Sequence, residues 1–434
     1  MTMELLPRRI PVKGTLRPPS DKSITHRAIL FSSLVAGFTH INNPLVAQDT
    51  LSSRRLVESL GVRVEVNSNE WILSSPGPTH WLAQTREIDC GNSGTTMRLA
   101  MGLLSISREP RTLIGDASLS KRPMERVAKP LREMGIFCST TEGYPPVTVY
   151  HGKSIRGITY TMPVASAQVK SAIILAALQG TEPTEIVEPY PTRDHTERML
   201  QQMGITISQN QNNIRVEPVN RWQALKPVVF HVPGDPSSAA FWAALAALVP
   251  GSHLTLRDVS ISLRRTGFFL HLQKMGTYVN LNRQADDEQI GNITIGYNPL
   301  RGRNVDAAQV PDMVDEIPLI ALMASQAAGE TVIRGAGELR VKETDRIRAT
   351  VENLSTLGAH IEELPDGMVV QGPTPLRGGE VKTFGDHRMA MMLAVAAATA
   401  HGPVVLDDED SVRISYPTFF DQYRLWQQGE VFRD

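Results

Sequence analysis

Pro18-Pro19-Ser20-Asp21-Lys22-Ser23-Ile24-Thr25-His26-Arg27 is the stretch from which the fold is read. Its two prolines stop whatever precedes them and enforce an extended entry. Ser20 or Asp21 can then cap a helix by accepting a hydrogen bond from a first-turn N–H. Ile24, Ala28, Phe31, Leu34 and Val35 recur at helical spacing, so one face is buried, and Gly37 is expected to close the helix. Lys22 and His26 stand four residues apart, as do Ser23 and Arg27, so each pair occupies neighbouring turns. A positive dipole end with a lysine, a serine and an arginine beside it suits an anion. For one helix alone, a solvated first turn explains the same residues equally well.

The pattern returns down the chain. Asn92-Ser93-Gly94-Thr95-Thr96-Met97-Arg98 leads into apolar residues 99–104, and Ser166-Ala167-Gln168-Val169-Lys170-Ser171 leads into 172–178. Gly234-Asp235-Pro236-Ser237-Ser238 precedes 239–249, Asp315-Glu316-Ile317-Pro318 precedes 319–328, and Gly385-Asp386-His387-Arg388 precedes 389–400. Each is a polar cap followed by a helix of small apolar residues able to pack on all sides. With the first, that makes six copies spaced by roughly 70 residues. An amphipathic helix keeps the same beat at 51–60, 124–134, 196–203, 266–275, 345–357 and 419–426. Gly61, Gly135, Gly204, Gly276, Gly358 and Gly429 follow them, and β-favouring runs such as Val62-Arg63-Val64-Glu65-Val66 come next.

The repeating unit is therefore strand, buried helix, strand, amphipathic helix, strand. A period of roughly 70 is long for a solenoid, and six copies in 434 residues suit two α/β domains of three units each. The expected division is 1–18 plus 232–434 for one domain and 19–231 for the other. The chain then crosses twice, at Pro18-Pro19 and at His231-Val232-Pro233-Gly234-Asp235, as a two-strand hinge over a cleft.

Composition narrows the function. A net charge of −1 gives no bulk field for nucleic acid, so cationic clusters must be local. No apolar run reaches the ~18 residues of a membrane span, and no charged-then-apolar leader opens the chain. Cys90 and Cys138 have neither metal-ligand spacing nor a disulfide framework, which suits a reducing cytoplasm; Cys90 reads as a buried inert thiol. There is no G-x-x-x-x-G-K-[ST] loop, no G-x-G-x-x-G after a strand, and no H-E-x-x-H. Polar and basic residues gather instead at the helix starts and in loops 115–123, 191–197 and 338–346. Convergence of several such starts would hold a small polyanion, with arginine forks matching phosphate and carboxylate. A set of surface salt bridges explains any one loop, but not six coincident starts.

At these residues the sequence resembles the 5-enolpyruvylshikimate-3-phosphate synthase family over essentially its whole length. The resemblance is carried by Ser20-Asp21-Lys22-Ser23 with Arg27, Gly91-Asn92-Ser93-Gly94-Thr95, Lys121-Arg122-Pro123, Arg340-Val341-Lys342-Glu343-Thr344-Asp345-Arg346 and Asp386-His387-Arg388. It implies two domains, each of three βαβαββ units with buried helices (an inverse α/β barrel), with the active site in the cleft between them. It implies transfer of the enolpyruvyl group of phosphoenolpyruvate to the 5-hydroxyl of shikimate 3-phosphate by addition and elimination, without metal or organic cofactor. A cytoplasmic monomer, inhibitable by glyphosate and without nucleic-acid or membrane partners, is expected.

Carried over position by position, Lys22, Ser23, Arg27, Ser166, Ala167, Gln168, Arg193, Asp315 and Lys342 match contacts to shikimate 3-phosphate. Lys22, Gly94, Thr95, Arg122, Gln168, Arg346 and Arg388 match the phosphoenolpyruvate pocket. Lys22, Asp315 and Glu343 match the catalytic groups: Asp315 faces the ring hydroxyls, and Glu343 exchanges a proton with the methylene carbon. Glu338 stands where many members have asparagine, and Ile414 where many have a lysine, with Arg413 adjacent. Ser166-Ala167-Gln168 and Thr192-Arg193-Asp194-His195 look like the class II branch, whose members often tolerate glyphosate, yet Gly94 lacks the bulk that usually excludes it. Two other readings differ at named places. The related UDP-N-acetylglucosamine enolpyruvyl transferases usually have Lys-Asn where Lys22-Ser23 stands, and a cysteine where Ala117 stands. A non-catalytic phospho-ligand binder on the same fold is disfavoured by intact Glu343, Asp315 and Arg122, because mere binding does not require the acid–base pair.

Overall fold

The helix caps govern the architecture. In the computed structural model, which describes residues 2–82, 85–107, 109–150, 152, 154–284 and 289–433, twelve α-helices alternate between two kinds. Ser20–Val232 forms one compact unit, with α1 (Lys22–Ser32), α2 (Gln48–Ser59), α3 (Gly94–Leu103), α4 (Glu125–Glu133), α5 (Ala167–Ala177) and α6 (His195–Gln202). Met1–Pro19 with Pro233–Asp434 forms the other, with α7 (Pro236–Leu248), α8 (Gly267–Met275), α9 (Ile317–Ser325), α10 (Arg346–Thr356), α11 (His387–Thr399) and α12 (Phe419–Gln427).

The odd-numbered helices are the buried ones. Every residue of α9 and α11 is buried. Asp21, Ser93, Ser166, Asp235 and Asp386 cap α1, α3, α5, α7 and α11 by accepting a first-turn N–H. The fifth start differs from expectation: α9 has no side-chain cap and is preceded by 3-10 turns at Val310–Asp312 and Val314–Glu316. The Asp315 carboxylate is thus not spent on a cap. The end of α1 also differs. Ser32 and Ser33 hydroxyls donate back to the carbonyls of Ile29 and Leu30, and the helix stops at Ser32. Gly37 lies in the strand Ala36–Asn42 rather than at the helix end. Each even-numbered helix is followed by a glycine whose φ lies between +88° and +110°, a region that ends a helix without steric cost.

One strand pattern recurs. The sheet Thr159–Thr161, Thr184–Val187, Asn213–Val216, Ile207–Asn210 has a parallel first pair, bridged by α5, and then antiparallel pairs. Glu87–Asp89, Arg111–Ile114, Tyr144–Val149, Cys138–Thr141 repeats it around α3. In the first unit the chain enters at the helix, and the missing first strand comes from Val229–His231, parallel to Ala36–Asn42. In the fourth, Lys13–Leu16 pairs in parallel with His253–Ser260, so residues 20–232 are inserted between the first strand and its helix α7. The fifth unit's first strand is reduced to isolated parallel bridges at Arg301 and Val305. The sixth sheet, Gly379–Val381 and Val404–Leu406, is completed by Met3–Leu5. Six open sheets result among the described residues, and none closes on itself.

Each unit has its own apolar core. In the unit of residues 20–232, α3 and α5 approach closely at Gly102, where an added Cβ would stand 2.0 Å from the Ala172 carbonyl oxygen. Among the described residues, no helix is long and apolar enough to cross a membrane, and no cluster of His, Cys, Asp and Glu could hold a metal ion.

Candidate active site

The starts of α1, α3 and α5 carry most of the expected residues of 20–232; of the expected cations, Lys22 and Arg27 lie on α1, Arg122 follows the 3-10 turn Leu119–Lys121, and Arg193 precedes α6. Lys22, the first residue of α1, is 2.9 Å from Asp49 Oδ2 of α2. One turn on, Arg27 is almost fully buried. Its Nε donates to Thr196 Oγ1 (2.7 Å), Nη2 to Ser171 Oγ (2.9 Å) and Nη1 to the Ser23 carbonyl (3.0 Å). These neutral acceptors orient the guanidinium without cancelling its charge. His26, between them in sequence, is buried with Nδ1 on Ser53 Oγ (2.8 Å). Burial, then the charges of Lys22 and Arg27, push its pKa well below the usual value, so the imidazole is neutral. From Ser53 the hydrogen bonds continue to Thr96 Oγ1 (2.8 Å) and on to Ser93 Oγ (2.8 Å), tying the second turns of α1 and α2 to the first turn of α3.

The first turn of α5 meets that of α3. Gln168 Nε2 donates to Thr95 Oγ1 (2.9 Å), and its Oε1 accepts from Arg98 Nη1 (2.6 Å). The amide is thereby fixed in one orientation. Arg122 Nη2 donates to Asn92 Oδ1 (2.7 Å), and Asn92 Nδ2 to Asp116 Oδ2 (2.8 Å). Gly94 lies beneath these guanidiniums: a Cβ there would meet Arg122 Nη1 at 3.2 Å and Arg98 Nη1 at 3.5 Å. Ser166 is the cap of α5 and Ala167 its first residue; Arg193 stands half-buried just ahead of α6. Lys22, Ser23 and Arg27 thus share one helix start, and Gly94, Thr95, Arg122 and Gln168 a second cluster.

In the other unit the expected residues surround one arginine. Arg346, the first residue of α10, is fully buried. Its Nε donates to Asp386 Oδ2 (2.7 Å), Nη2 to Glu343 Oε2 (2.6 Å) and Nη1 to Asp315 Oδ1 (3.3 Å). Burial opposes its charge, but Asp386, Glu343 and Asp315 outweigh it and hold its pKa above the usual range. Arg388 Nη2 lies 3.8 Å from Asp315 Oδ2, and its Nη1 3.4 Å from Glu316 Oε1. Lys342 Nζ is 3.8 Å from Asp315 Oδ1; burial lowers its pKa while Asp315 and Glu338 oppose that. Asp315 is therefore addressed by Arg346, Arg388 and Lys342, and Glu343 shares Arg346 with it.

Sequence reasoning missed Arg98, whose signal is its place four residues after Gly94, on the same helix face. It also missed the buried ions Lys170, Glu188 and Glu197. Arg340, inside the densest loop, is spent structurally on Asp345, Glu363 and the carbonyls of Pro365 and Leu364. Ile414 is buried, while Arg413 is largely exposed and pairs with Asp410 at 3.2 Å. Both thiols are buried; burial pushes Cys138 up to about 12 and Cys90 upward too.

The repeated units form a fold shared with solved enolpyruvyl transferases. The enolpyruvyl transferase NikO from Streptomyces tendae superposes with a TM-score of 0.77, covering 98% of this chain and 97% of that one, though at 16% identity this shows the fold alone. The chain belongs to the EPSP synthase (3-phosphoshikimate 1-carboxyvinyltransferase) family, whose model matches residues 7–423. The 3-phosphoshikimate 1-carboxyvinyltransferase of Streptococcus pyogenes serotype M49 (strain NZ131) is 42% identical over 422 residues, 96% of this chain and 98% of the relative. An EPSP synthase structure from Acinetobacter baumannii is 37% identical with a TM-score of 0.85, covering 98% of this chain and 97% of that one.

Proposed function

We propose that this protein transfers the enolpyruvyl group of phosphoenolpyruvate to the 5-hydroxyl of shikimate 3-phosphate and releases phosphate. The observation that carries the reading is the Asp315–Arg346–Glu343 arrangement: two carboxylates held on one buried guanidinium with Lys342 and Arg388 beside them. Such a group can move protons next to an anion, which mere binding does not require.

In the addition step the 5-hydroxyl oxygen bonds to C2 of phosphoenolpyruvate, its proton passing to Asp315, while Glu343 delivers a proton to the methylene carbon. In the elimination step Glu343 takes a proton back from the new methyl group and the C2–O bond to phosphate breaks; the hydroxyl proton held by Asp315 leaves with the released phosphate, so both carboxyl groups return to their starting states. Lys22, Ser23, Arg27, Ser166, Ala167, Gln168, Arg193 and Lys342 hold shikimate 3-phosphate. Gly94, Thr95, Arg122, Arg346 and Arg388, with Lys22 and Gln168, hold phosphoenolpyruvate. Neither set suffices: cations hold the phosphates, and carboxylates move the protons. Phosphate release from the two substrates tests this. Release with UDP-N-acetylglucosamine instead, or binding without release, would refute it in favour of the related transferases or of a binding protein.

Glyphosate is proposed as an inhibitor competing with phosphoenolpyruvate, because Gly94 sets no side chain of its own against the Arg122 guanidinium. Gly94→Ala places a methyl 3.2 Å from that guanidinium. It is expected to raise the inhibition constant for glyphosate by more than tenfold (on the order of 1.4 kcal/mol or more), and the KM for phosphoenolpyruvate less. Weak competitive inhibition of the unmodified enzyme would contradict the role given to Gly94.

A further inference from the structure

We infer that the buried cluster Lys170, Glu188 and Glu197 is a positioning device that sets the segment 192–196, and with it Arg193, for the phosphate of shikimate 3-phosphate. The inference rests on the functional reading above. Lys170 lies on α5 and is fully buried; its Nζ is 3.2 Å from Glu188 Oε2 and 2.7 Å from Glu197 Oε1. One ammonium faces two carboxylates in an apolar interior. Such a group is a poor source of stability, since apolar side chains of the same volume are often as good or better. Burial pushes the Glu197 pKa upward even against the pull of Lys170.

What the cluster does accomplish is to fasten a loop. Glu188 Oε1 accepts both the backbone N–H and the hydroxyl of Thr192, and Lys170 Nζ reaches the Thr192 carbonyl at 3.5 Å. Every polar group of Thr192 is thus held by the cluster. Four residues on, Thr196 Oγ1 accepts from Arg27 Nε and shares a hydrogen bond with Ser171 Oγ. Arg193 lies between these two tethered threonines, and the second tether is Arg27, itself a proposed phosphate contact. The Lys170 N–H bonds the Ser166 carbonyl (3.0 Å), so one turn of α5 separates the clamp from the proposed Ser166-Ala167-Gln168 contacts. A single helix start therefore presents one group of contacts and fixes the loop carrying another. Without the clamp, the Arg193 backbone would have to be ordered by the substrate itself, at a cost in affinity.

The test compares two isosteric changes in the full-length enzyme. Glu188→Gln removes the charged acceptor of Thr192 but leaves Lys170 paired one-to-one with Glu197. It is expected to raise the KM for shikimate 3-phosphate about tenfold, with kcat and the KM for phosphoenolpyruvate changed less than about twofold. Glu197→Gln loosens the Lys170 ammonium but leaves the Glu188–Thr192 bonds in place, and is expected to raise the same KM less than about threefold, short of the Glu188→Gln effect. Thr192→Val keeps all three ions and covers a failure of Glu188→Gln to fold; a rise of about threefold in the same KM is expected. Unchanged KM for shikimate 3-phosphate in the Thr192 and Glu188 variants, or equal losses for both substrates, would overturn the inference and leave the cluster merely structural. Absence of turnover in the unmodified protein would instead overturn the functional reading, and this inference with it.

Discussion

Arg346 is at once buried, surrounded by carboxylates and the first residue of a helix. Its guanidinium spends all three nitrogens on Asp386, Glu343 and Asp315. Asp386 also caps α11, so the arginine is braced from a second helix start. Glu343→Gln keeps the shape and loses the exchangeable proton. It is expected to leave shikimate 3-phosphate binding within a few-fold and to lower kcat by about 10²–10⁴, measured by calorimetry and by phosphate release; undiminished turnover would remove Glu343 from the chemistry. At this scale the local spacing Lys342-Glu343 and Arg346 was legible, because neighbouring turns of one segment need no tertiary information. Arg98 and the Lys170 cluster were not, because their partners lie 70 residues away in Gln168 and 18 to 27 away in Glu188 and Glu197. The spent state of Arg340 was equally hidden, since Glu363 comes from a strand that periodicity does not pair with it.

Helices were the legible elements. Their caps and terminal glycines are local chemistry, and the even-numbered helices fall within about three residues of their expected bounds. Strands were less so: nothing in Val229-Phe230-His231 says that it completes the first sheet, about 190 residues from its partner. Close packing of the buried helices yields one expectation. Gly102→Ala sets a methyl against the Ala172 carbonyl oxygen, so α3 and α5 must part. A loss of about 1–3 kcal/mol is expected, read from the urea midpoint; an unchanged midpoint would mean the helices separate without cost. A second expectation concerns α8, where His271 is buried and neither ring nitrogen has a hydrogen-bond partner among the described residues. Burial, with Lys274 adding to it, lowers its pKa to about 4, whereas the unfolded chain titrates near 6.5. Between those values the unfolded state binds the extra proton, so stability falls as pH drops through the window. At pH 5 this one residue costs about 2 kcal/mol. His271→Leu should therefore lose less stability than the unmodified protein between pH 7 and pH 5; equal losses would place the acid sensitivity elsewhere.

For the whole molecule, the permuted connections matter more than the repeat count. Among the described residues, 20–232 take no strand of their three sheets from outside, because Val229–His231 returns to the first one. The remainder closes in the same way: Met3–Leu5 completes the sixth sheet, Lys13–Leu16 the fourth, and the Asp235 N–H donates to the Pro19 carbonyl at 2.7 Å. The two places where the chain leaves and re-enters that unit are thus already joined by a hydrogen bond. Residues 20–232 expressed alone, and residues 1–19 linked through a few glycines to 233–434, should each unfold cooperatively. Ending the first fragment at residue 226 removes its returning strand and exposes the edge at Ala36–Asn42, so it should be destabilised or aggregate. The proposed roles sharpen the outcome: the 20–232 fragment holds Lys22, Arg27 and Arg193 but neither Asp315 nor Glu343. It is expected to bind shikimate 3-phosphate more weakly than the full chain and to release no phosphate from the substrate pair. Calorimetric unfolding and a phosphate assay on the purified fragments check both halves. A fragment of residues 20–232 that stays unfolded would show that its core needs the other unit, and turnover by it would displace Asp315 and Glu343 from the mechanism.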